Sequence, residues 1–315
     1  MNKLLLMRNP DFFQGQKYLK TNKNYFEGWY FKNTNQKESI SFIPGVNIDN
    51  LNKKAFIQVI TNESSYYINY DIEDFGFDFQ HWCIKIGNNT FGKDGVHLEI
   101  EDIKQNIKIY GNLRYSHQQN INTHLFYPNI MGPFSYIPFM ECNHAIINMY
   151  NKINGSIKIN NQQMDFCNGI GYIEKDWGCS FPKSYIWCQG NCFQEYNASF
   201  MLSIAHIPFG FFSFKGLICV LIIDHEEYKF TTYNHTKILK YVINNNIIDI
   251  ALKKGSYQLN IQSHSNKGLK LVAPKNGKME KEILESITSL ISVTLKKNNH
   301  IIFSDTSTNC GLEIV

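Results

Sequence analysis

Short segments of alternating apolar and polar residues recur along most of this chain. The clearest is Ile107–Tyr115, in which Ile, Gly, Leu and Tyr residues alternate with polar ones. A period of two indicates an antiparallel strand with one buried face. Turn signals such as Gly87-Asn88-Asn89 and Asp94-Gly95 recur every ~8–12 residues, as in β-sandwiches and barrels. We therefore predict an all-β fold, in which the longest apolar run, Gly216–Ile223, is a buried strand.

Two regions depart from this pattern. Residues 123–139 contain three prolines with aromatic residues between them, which indicates an irregular segment that links or plugs two halves. Residues 283–295 fit helical as well as strand spacing; Gly277 before them and Asn298-Asn299 after them favour strands. The length of 315 residues suits two medium domains or one large one. We predict two β-domains, residues 1–136 and 137–315.

Composition and charge narrow the range of functions. Aromatic residues make up 14% of the chain, which suits strands and apolar pockets. The net charge of +4 is spread along the sequence, so we predict no nucleic-acid partner. The apolar run Leu4–Met7 is too short for a signal peptide, and no run approaches the ~18 apolar residues of a membrane span. We expect a cytoplasmic protein with reduced cysteines.

Motifs for common cofactors are missing from the sequence. It contains no Gly-x-Gly-x-x-Gly opening a helix, no phosphate-binding Gly-Lys-Ser/Thr loop, no Gly-x-Ser-x-Gly elbow and no His-Glu-x-x-His. Neither Cys188 and Cys192 nor Cys142 and His144 have a recognised zinc spacing. We predict no metal and no organic cofactor, so any reaction would depend on side-chain acids, shape and exclusion of solvent.

The stretch Gly171–Asn191 combines acids with aromatic residues. On an extended chain Glu174 and Asp176 share one face, and Lys175 points the opposite way. Carboxylic acids held against rings such as Trp177 have raised pKa values and can donate a proton near pH 7. We predict Asp176 as the first candidate general acid, Glu174 as the second and Trp177 as a substrate-binding residue. The alternative is that both acids anchor a turn or form ion pairs.

The strand after Pro182 carries candidate substrate-binding residues. Tyr185, Trp187, Gln189 and Asn191 alternate on one face. The ring of Trp187 could stabilise a carbocation, and the two amides could orient a hydroxyl group. Ordinary core packing with satisfied amides is the alternative interpretation.

Two further groups surround aromatic motifs. Glu27 and Trp29 flank Gly28; they are candidates for substrate binding, or else Gly28 permits close packing and Trp29 plugs one end of a barrel. Glu141 would share a face with Asn143, whereas His144 would point the other way. We predict Glu141 as a substrate-binding residue. His144 is a candidate catalytic residue that orients an acid or a phenol, or else a hydrogen-bonded core histidine.

Several of these stretches resemble the tocopherol cyclase family, in order along nearly the whole chain. Tyr25–Lys32 (YFEGWYFK) resembles its amino-terminal signature, Met131–His144 (MGPFSYIPFMECNH) its central motif and Gly171–Asn191 its most distinctive stretch. The carboxyl end resembles the family in Leu271–Pro274, Ile283–Ser286 and Gly311–Glu313.

The resemblance implies two lipocalin-like antiparallel β-barrel or sandwich halves packed together, as in carotenoid hydratases and some fungal pericyclases. It also implies cofactor-free chemistry, in which a proton goes to a trisubstituted alkene and a phenol oxygen captures the tertiary cation. Two positions depart from the family pattern: Asn143 replaces an expected aromatic residue, and Cys179 replaces an expected basic one. The substrate therefore stays open.

Three hypotheses follow for the function. The first is an isomerase or lyase that cyclises or hydrates an isoprenoid or prenylquinol-like substrate by acid catalysis. The second is a carrier of a hydrophobic small molecule without chemistry, and the third is a structural barrel that acts through surface contacts. The partner expected under the first two is a hydrophobic small molecule. The sequence leaves open peripheral contact with a membrane, and it does not indicate the oligomeric state.

Overall fold

The structure is a computed structural model that describes residues 3–21, 23–138, 140–209, 212–244, 247–264 and 268–315. Apart from one short helix and four 3₁₀ turns, the regular structure of these residues consists of antiparallel strands. The prediction of an all-β fold is confirmed. The helical elements are α1 (Lys3–Arg8) and the 3₁₀ turns Gly15–Lys20, Ile72–Asp74, Gly132–Tyr136 and Thr232–Asn234.

Two groups of strands follow one another along the chain. The first group is β1 (Tyr25–Thr34), β2 (Ser39–Ile48), β3 (Lys53–Thr61), β4 (Ser65–Asp71), β5 (Phe75–Asp78), β6 (Cys83–Ile86), β7 (Asn89–Gly92), β8 (Gly95–Asp102), β9 (Ile107–Gln119), β10 (Cys142–Ile159), β11 (Gln162–Asp165) and β12 (Gly169–Gly178). The second group is β13 (Tyr185–Gly190), β14 (Cys192–Phe193), β15 (Ala198–Phe209), β16 (Phe212–Ile223), β17 (Glu226–Thr231), β18 (Lys237–Asn244), β19 (Ile247–Lys254), β20 (Tyr257–His264), β21 (Leu269–Lys275), β22 (Lys278–Lys297) and β23 (His300–Ile314).

The chain forms two compact units. The first contains residues 1–181 and 271–282, and the second contains residues 182–270 and 283–315. The first unit extends beyond the predicted boundary after residue 136, since it includes β10 and β12. Strand β10 pairs with β9, and β12 pairs with both β10 and β1. These pairings join segments that are far apart in the sequence, and they place the Gly171–Gly178 motif in the first unit.

The sheet of the first unit curls back on itself. Its strand order is β4-β3-β2-β1-β12-β10-β9-β8-β7-β6-β5, with β11 paired to β10. The two outermost strands, β4 and β5, are consecutive in the chain and joined by a single 3₁₀ turn, so the two ends of the sheet must meet. The concave face buries a core that includes Trp29, Phe31, Phe42, Phe91 and Ile173. A large buried apolar core of this kind is the main stabilising contribution to a domain.

The second unit repeats this arrangement. The strand order of its sheet is β17-β16-β15-β13-β23-β22-β20-β19-β18, with β14 paired to β23. Strand β21 pairs with β22, but residues 271–282 of these two strands belong to the first unit. The outermost strands β17 and β18 are again consecutive and joined by a 3₁₀ turn. Its core includes Ile186, Cys188, Phe200, Leu202 and Leu312.

Both regions with irregular or ambiguous patterns are now assigned. Residues 283–295 lie within β22, which pairs with β20 and β23, so the strand interpretation is confirmed. In the 123–138 part of the irregular segment, the 3₁₀ turn Gly132–Tyr136 and an isolated bridge between His124 and Tyr127 are the regular structure; Phe139 lies outside the described residues. Within the described part of the chain, no helix has the length and apolar character needed to cross a membrane.

Candidate functional site

Strand β12 lies between β1 and β10 and carries the two acids of the Gly171–Asn191 stretch. His144 on β10 is directly opposite Asp176. Because directly opposite residues project from the same face of a sheet, His144, Asp176 and Glu174 share one face. This face is opposite to the core, since Ile173 and Lys175 alternate with the acids. The three candidate catalytic residues predicted from the sequence are thus brought together.

The three side chains form a contiguous acid–imidazole cluster. Nδ1 of His144 lies 2.9 Å from Oδ1 of Asp176, and Nε2 lies 3.4 Å from Oε2 of Glu174. The first contact is a hydrogen bond, whereas Nε2 makes none with the described residues. Side-chain exposure is 24% for Asp176, 12% for His144 and 6% for Glu174. Asp176 is therefore the member of the cluster that is most open to a bound molecule.

The imidazole of His144 is protonated at neutral pH. Burial alone would lower its pKa, but the carboxylates of Asp176 and Glu174 more than offset this effect and raise the pKa to about 9. A buried imidazolium held between two carboxylates carries a proton that it can pass to either carboxylate. The cluster can therefore exchange a proton without a metal or an organic group.

Tyr172 supports the cluster from the same face of β12. Its hydroxyl donates a hydrogen bond to Oε2 of Glu174 over 2.6 Å. Burial raises the pKa of Tyr172 well above its ordinary value, and the carboxylate of Glu174 raises it further, so the phenol stays neutral. Tyr172 was not among the residues predicted from the sequence, although it lies two residues before Glu174 and a strand places such residues on one face.

The same cluster is where a metal ion would bind if the protein holds one. His144, Glu174 and Asp176 each offer a ligand atom, and these atoms lie within 4.8 Å of one another. However, Nδ1 and Oδ1 already bond to each other, and Oε2 accepts the Tyr172 hydroxyl. A metal would have to displace the imidazole proton and break these bonds. That the protein needs no metal stays a prediction.

The other candidates on β1 and β12 lie on the core face. Glu27 and Lys175 form an ion pair with an Oε1–Nζ distance of 2.5 Å, and both side chains are fully buried. Burial raises the pKa of Glu27 and lowers that of Lys175, although each residue favours the charge of the other. The ammonium group also lies over the rings of Trp29 and Trp177, at 5.1 and 4.6 Å from their centroids.

A segment near the amino terminus completes this buried network. Lys175 donates to the carbonyl groups of Pro10 and Phe12, and the backbone N–H of Gln14 donates to the carboxylate of Glu27. The indole N–H of Trp29 donates to the carbonyl of Asp11. Glu27 and Trp29 are thus surrounded by groups of their own chain on the face opposite to His144. They lie on the other face of the sheet from the cluster, and their part in substrate binding stays a prediction.

Glu141 lies just before β10 and acts through its backbone. Its carbonyl accepts hydrogen bonds from the N–H groups of Cys179 and Ser180. The next residues confirm the predicted alternation, because His144 faces the acids and Asn143 is opposite Trp177. Binding of substrate by the Glu141 side chain stays a prediction.

Tyr185, Trp187 and Gln189 belong to the second unit. They alternate along β13 with the core residues Ile186 and Cys188, so they share the face opposite to that core. All three are buried, as is Asn191 just after the strand. The hydroxyl of Tyr185 donates a hydrogen bond to Glu313 on β23, a partner that the sequence analysis had not assigned. Their role in binding substrate stays a prediction.

Comparison with known proteins identifies the family. The model of the family described as "Tocopherol cyclase-like" matches residues 103–315, which include β10, β12 and the whole acid–imidazole cluster. This chain belongs to the tocopherol cyclase-like family. The resemblance predicted from the motifs is thereby confirmed, and it extends over most of the chain. No curated protein is similar enough to count as a match.

Solved structures with the same fold are similar to this chain over almost its whole length. CghA in complex with Sch210972 is 9% identical, with a TM-score of 0.56, covering 92% of this chain and 88% of CghA. Kievitone hydratase from Nectria haematococca is 12% identical, with a TM-score of 0.51, covering 93% of this chain and 89% of the hydratase. The prediction of an all-β fold with two lipocalin-like halves is confirmed.

Proposed function

We propose that this chain is an enzyme that protonates an alkene in a hydrophobic, isoprenoid-like substrate, and that an oxygen atom then traps the cation. Capture by a hydroxyl group of the substrate would make it a cyclase, and capture by water would make it a hydratase. The single observation that carries the proposal is the hydrogen bond between His144 and the partly exposed Asp176, beside Glu174. Membership of the tocopherol cyclase-like family supports the same reaction class.

Asp176 is the proposed proton donor. The imidazolium of His144 donates a hydrogen bond to Oδ1 of Asp176, and transfer of its proton to this carboxylate makes the carboxylic acid that protonates the alkene. This differs from the acid expected from the sequence, whose strength was set by burial against rings alone.

Glu174 and His144 are proposed as positioning residues. Glu174 lies against the second nitrogen of the imidazole, and Tyr172 holds the carboxylate in place. Once the proton has been given up, two carboxylates and a neutral imidazole remain, and their net negative charge stabilises a carbocation formed close by. Exclusion of water by the apolar substrate strengthens this effect.

The reaction balances without an added reagent. The alkene takes the proton from Asp176 at its less substituted carbon, and the positive charge develops at the more substituted one. A hydroxyl oxygen then forms the new C–O bond and releases its proton to the Asp176 carboxylate, which passes it back to the His144 imidazole and so restores the starting state. No electrons are transferred to or from the substrate, so the step needs no redox partner.

Turnover of a hydroquinone with a dimethylallyl side chain tests the proposal. In D₂O the wild-type protein should form the chromanol with one non-exchangeable deuterium on the former alkene carbon, measured by mass spectrometry. Asp176→Asn should bind the hydroquinone with an unchanged Kd but lower turnover about a hundredfold or more. If wild type and Asp176→Asn both bind and neither converts this compound, the carrier hypothesis replaces ours. Equal turnover by both would show that Asp176 is not the acid.

A further inference from the structure

Gly28 lies directly beside the proposed proton donor. In the pairing of β1 with β12 it is opposite Asp176, and in the pairing of β1 with β2 it is opposite Gly45. Side chains of directly opposite residues project from the same face, with Cβ atoms about 5 Å apart. The sheet therefore lacks a side chain at the position next to the Asp176 carboxyl group, on the face that carries the acid–imidazole cluster.

The fold does not require a glycine at this position. A Cβ atom on Gly28 would meet Ile43 Cγ2 at 3.6 Å and Phe56 Cζ at 3.9 Å, which are ordinary contacts. Gly28 is also not among the residues with positive φ. Gly45 is different, because a Cβ atom there would lie 2.6 Å from the carbonyl oxygen of Glu27. A Cβ atom would therefore fit at Gly28, whereas the close approach of two strands requires a glycine at position 45.

The space over Gly28 has an apolar side and an acidic side. Gly28 is partly exposed, whereas Phe26 on the same strand and Phe56 on β3 are 3% and 2% exposed. Ile43 and Phe56 are the side chains nearest to the space, and Asp176 lies across the strand pair. Apolar side chains bind a hydrocarbon branch, and aromatic rings stabilise a positive charge that develops on it.

We infer that the alkene of the substrate lies over Gly28, between the Asp176 carboxyl group and the side chains of Ile43 and Phe56. The inference rests on the proposed function and names the binding site of the reacting carbons. The missing side chain leaves room for a group the size of one methyl branch of the alkene, on the face that carries the acid. Position 28 then determines how large a branch the enzyme accepts.

Small substitutions at position 28 test this arrangement. Gly28→Ala and Gly28→Val are compared with wild type and with Gly76→Ala as a matched control. Gly76 is a strand glycine in β5 where a Cβ atom would meet only Lys85 Cβ, at 3.9 Å. The probe is the dimethylallyl hydroquinone, with Kd from calorimetry, kcat/KM from chromanol formation and the midpoint of thermal unfolding as the check on folding.

We expect Gly28→Ala to unfold at the wild-type temperature and to lose at least tenfold in kcat/KM, and Gly28→Val to lose more. Gly76→Ala should keep the wild-type value. Wild-type kcat/KM in a folded Gly28→Ala protein would overturn the inference. A crystal structure of the wild-type protein with the probe bound tests the inference without a variant. The alkene carbons of the probe must then lie against Gly28.

Failure of the proposed function would be seen separately. If the wild-type protein binds the probe without converting it, the proposed reaction is wrong. The alkene site at Gly28 is then tested by the Kd values alone. A Kd at least tenfold weaker in Gly28→Ala then supports the alkene site, whereas an equal Kd overturns it. If wild type does not bind the probe at all, the inference is wrong for this class of substrate.

Discussion

Glu27 on β1 and Lys175 on β12 are joined by an ion pair in which both side chains are completely buried. They lie diagonally across the strand pairing, since Lys175 is opposite Trp29 and Glu27 is opposite Trp177. Two charges removed from water gain little net stability from each other, but removing one leaves the other uncompensated. This relationship gives the most direct prediction about folding.

Lys175→Met should lower the free energy of unfolding by about 3–5 kcal/mol, because Glu27 would keep a buried charge with fewer partners. Adding Glu27→Gln to Lys175→Met should recover a large part of this loss. Denaturant unfolding of the four proteins in the cycle measures the coupling. The control is Lys54→Met, which breaks an exposed pair with Asp71 and should change the stability little, because water screens the two charges. Additive losses in the cycle would contradict the prediction.

The stability of the protein should fall as the pH rises from about 6.5 to 9. The pKa of His144 is raised to about 9 in the folded protein, from about 6.5 in an unfolded chain. A raised pKa stabilises the fold fully below the unfolded value, and this contribution is lost as the pH rises through the folded value. It amounts to about 3 kcal/mol, since each pKa unit corresponds to about 1.4 kcal/mol.

The comparison is with His144→Gln. The difference in unfolding free energy between wild type and this variant should shrink across the same pH interval. NMR titration of the His144 imidazole provides a direct measurement of the pKa. Titration of this ring near pH 6.5 would contradict the arrangement of charges in the cluster.

Tyr172→Phe should destabilise the protein by about 1.5–3 kcal/mol, because the buried carboxylate of Glu174 loses a hydrogen bond. The matched control is Tyr110→Phe, since the Tyr110 hydroxyl donates to Glu101 at the surface over 3.3 Å and should contribute little. Chemical denaturation of both variants checks the difference. Equal stability of the two variants would mean that water replaces the Tyr172 hydroxyl at Glu174.

Gly45→Ala should destabilise the first unit by about 1–3 kcal/mol, as expected for an overpacked site. The new Cβ atom would lie 2.5 Å from Phe56 Cζ and 2.6 Å from the Glu27 carbonyl oxygen, so the backbone would have to move. Gly76→Ala is the control, because a methyl group fits there. Thermal unfolding distinguishes the two, and equal midpoints would contradict the expected clash.

Local patterns in the sequence were sufficient for the faces of single strands. The alternation in Ile107–Tyr115 corresponds to β9, and the i, i+2 spacing placed Glu174 and Asp176 together with Lys175 opposite. These predictions held because side-chain direction along a strand depends only on position parity. The strand interpretation of residues 283–295 was correct for another local reason: the turn residues Gly277 and Asn298-Asn299 lie at the two ends of β22, and all three have positive φ.

Such local patterns could not predict which strands pair when the strands are far apart in the sequence. Nothing local to His144 indicates that β10 would place it opposite Asp176, 32 residues later. The return of residues 271–282 to the first unit is equally non-local, which is why the unit boundary could not be read from the irregular segment alone. Buried partners such as Tyr172 and Glu313 depend on that pairing and became visible only with the fold.

Three consecutive residues of β12, Glu174, Lys175 and Asp176, are divided between two faces of one sheet. A shift of the strand by one residue would turn Lys175 toward His144 and bury two carboxylates in the apolar core. Neither outcome is compatible with a stable protein or with a proton donor. The chemistry of this enzyme candidate is thus inseparable from correct strand alignment: a chain that misaligns here would lose its fold and its acid in the same event, so selection for either property maintains both.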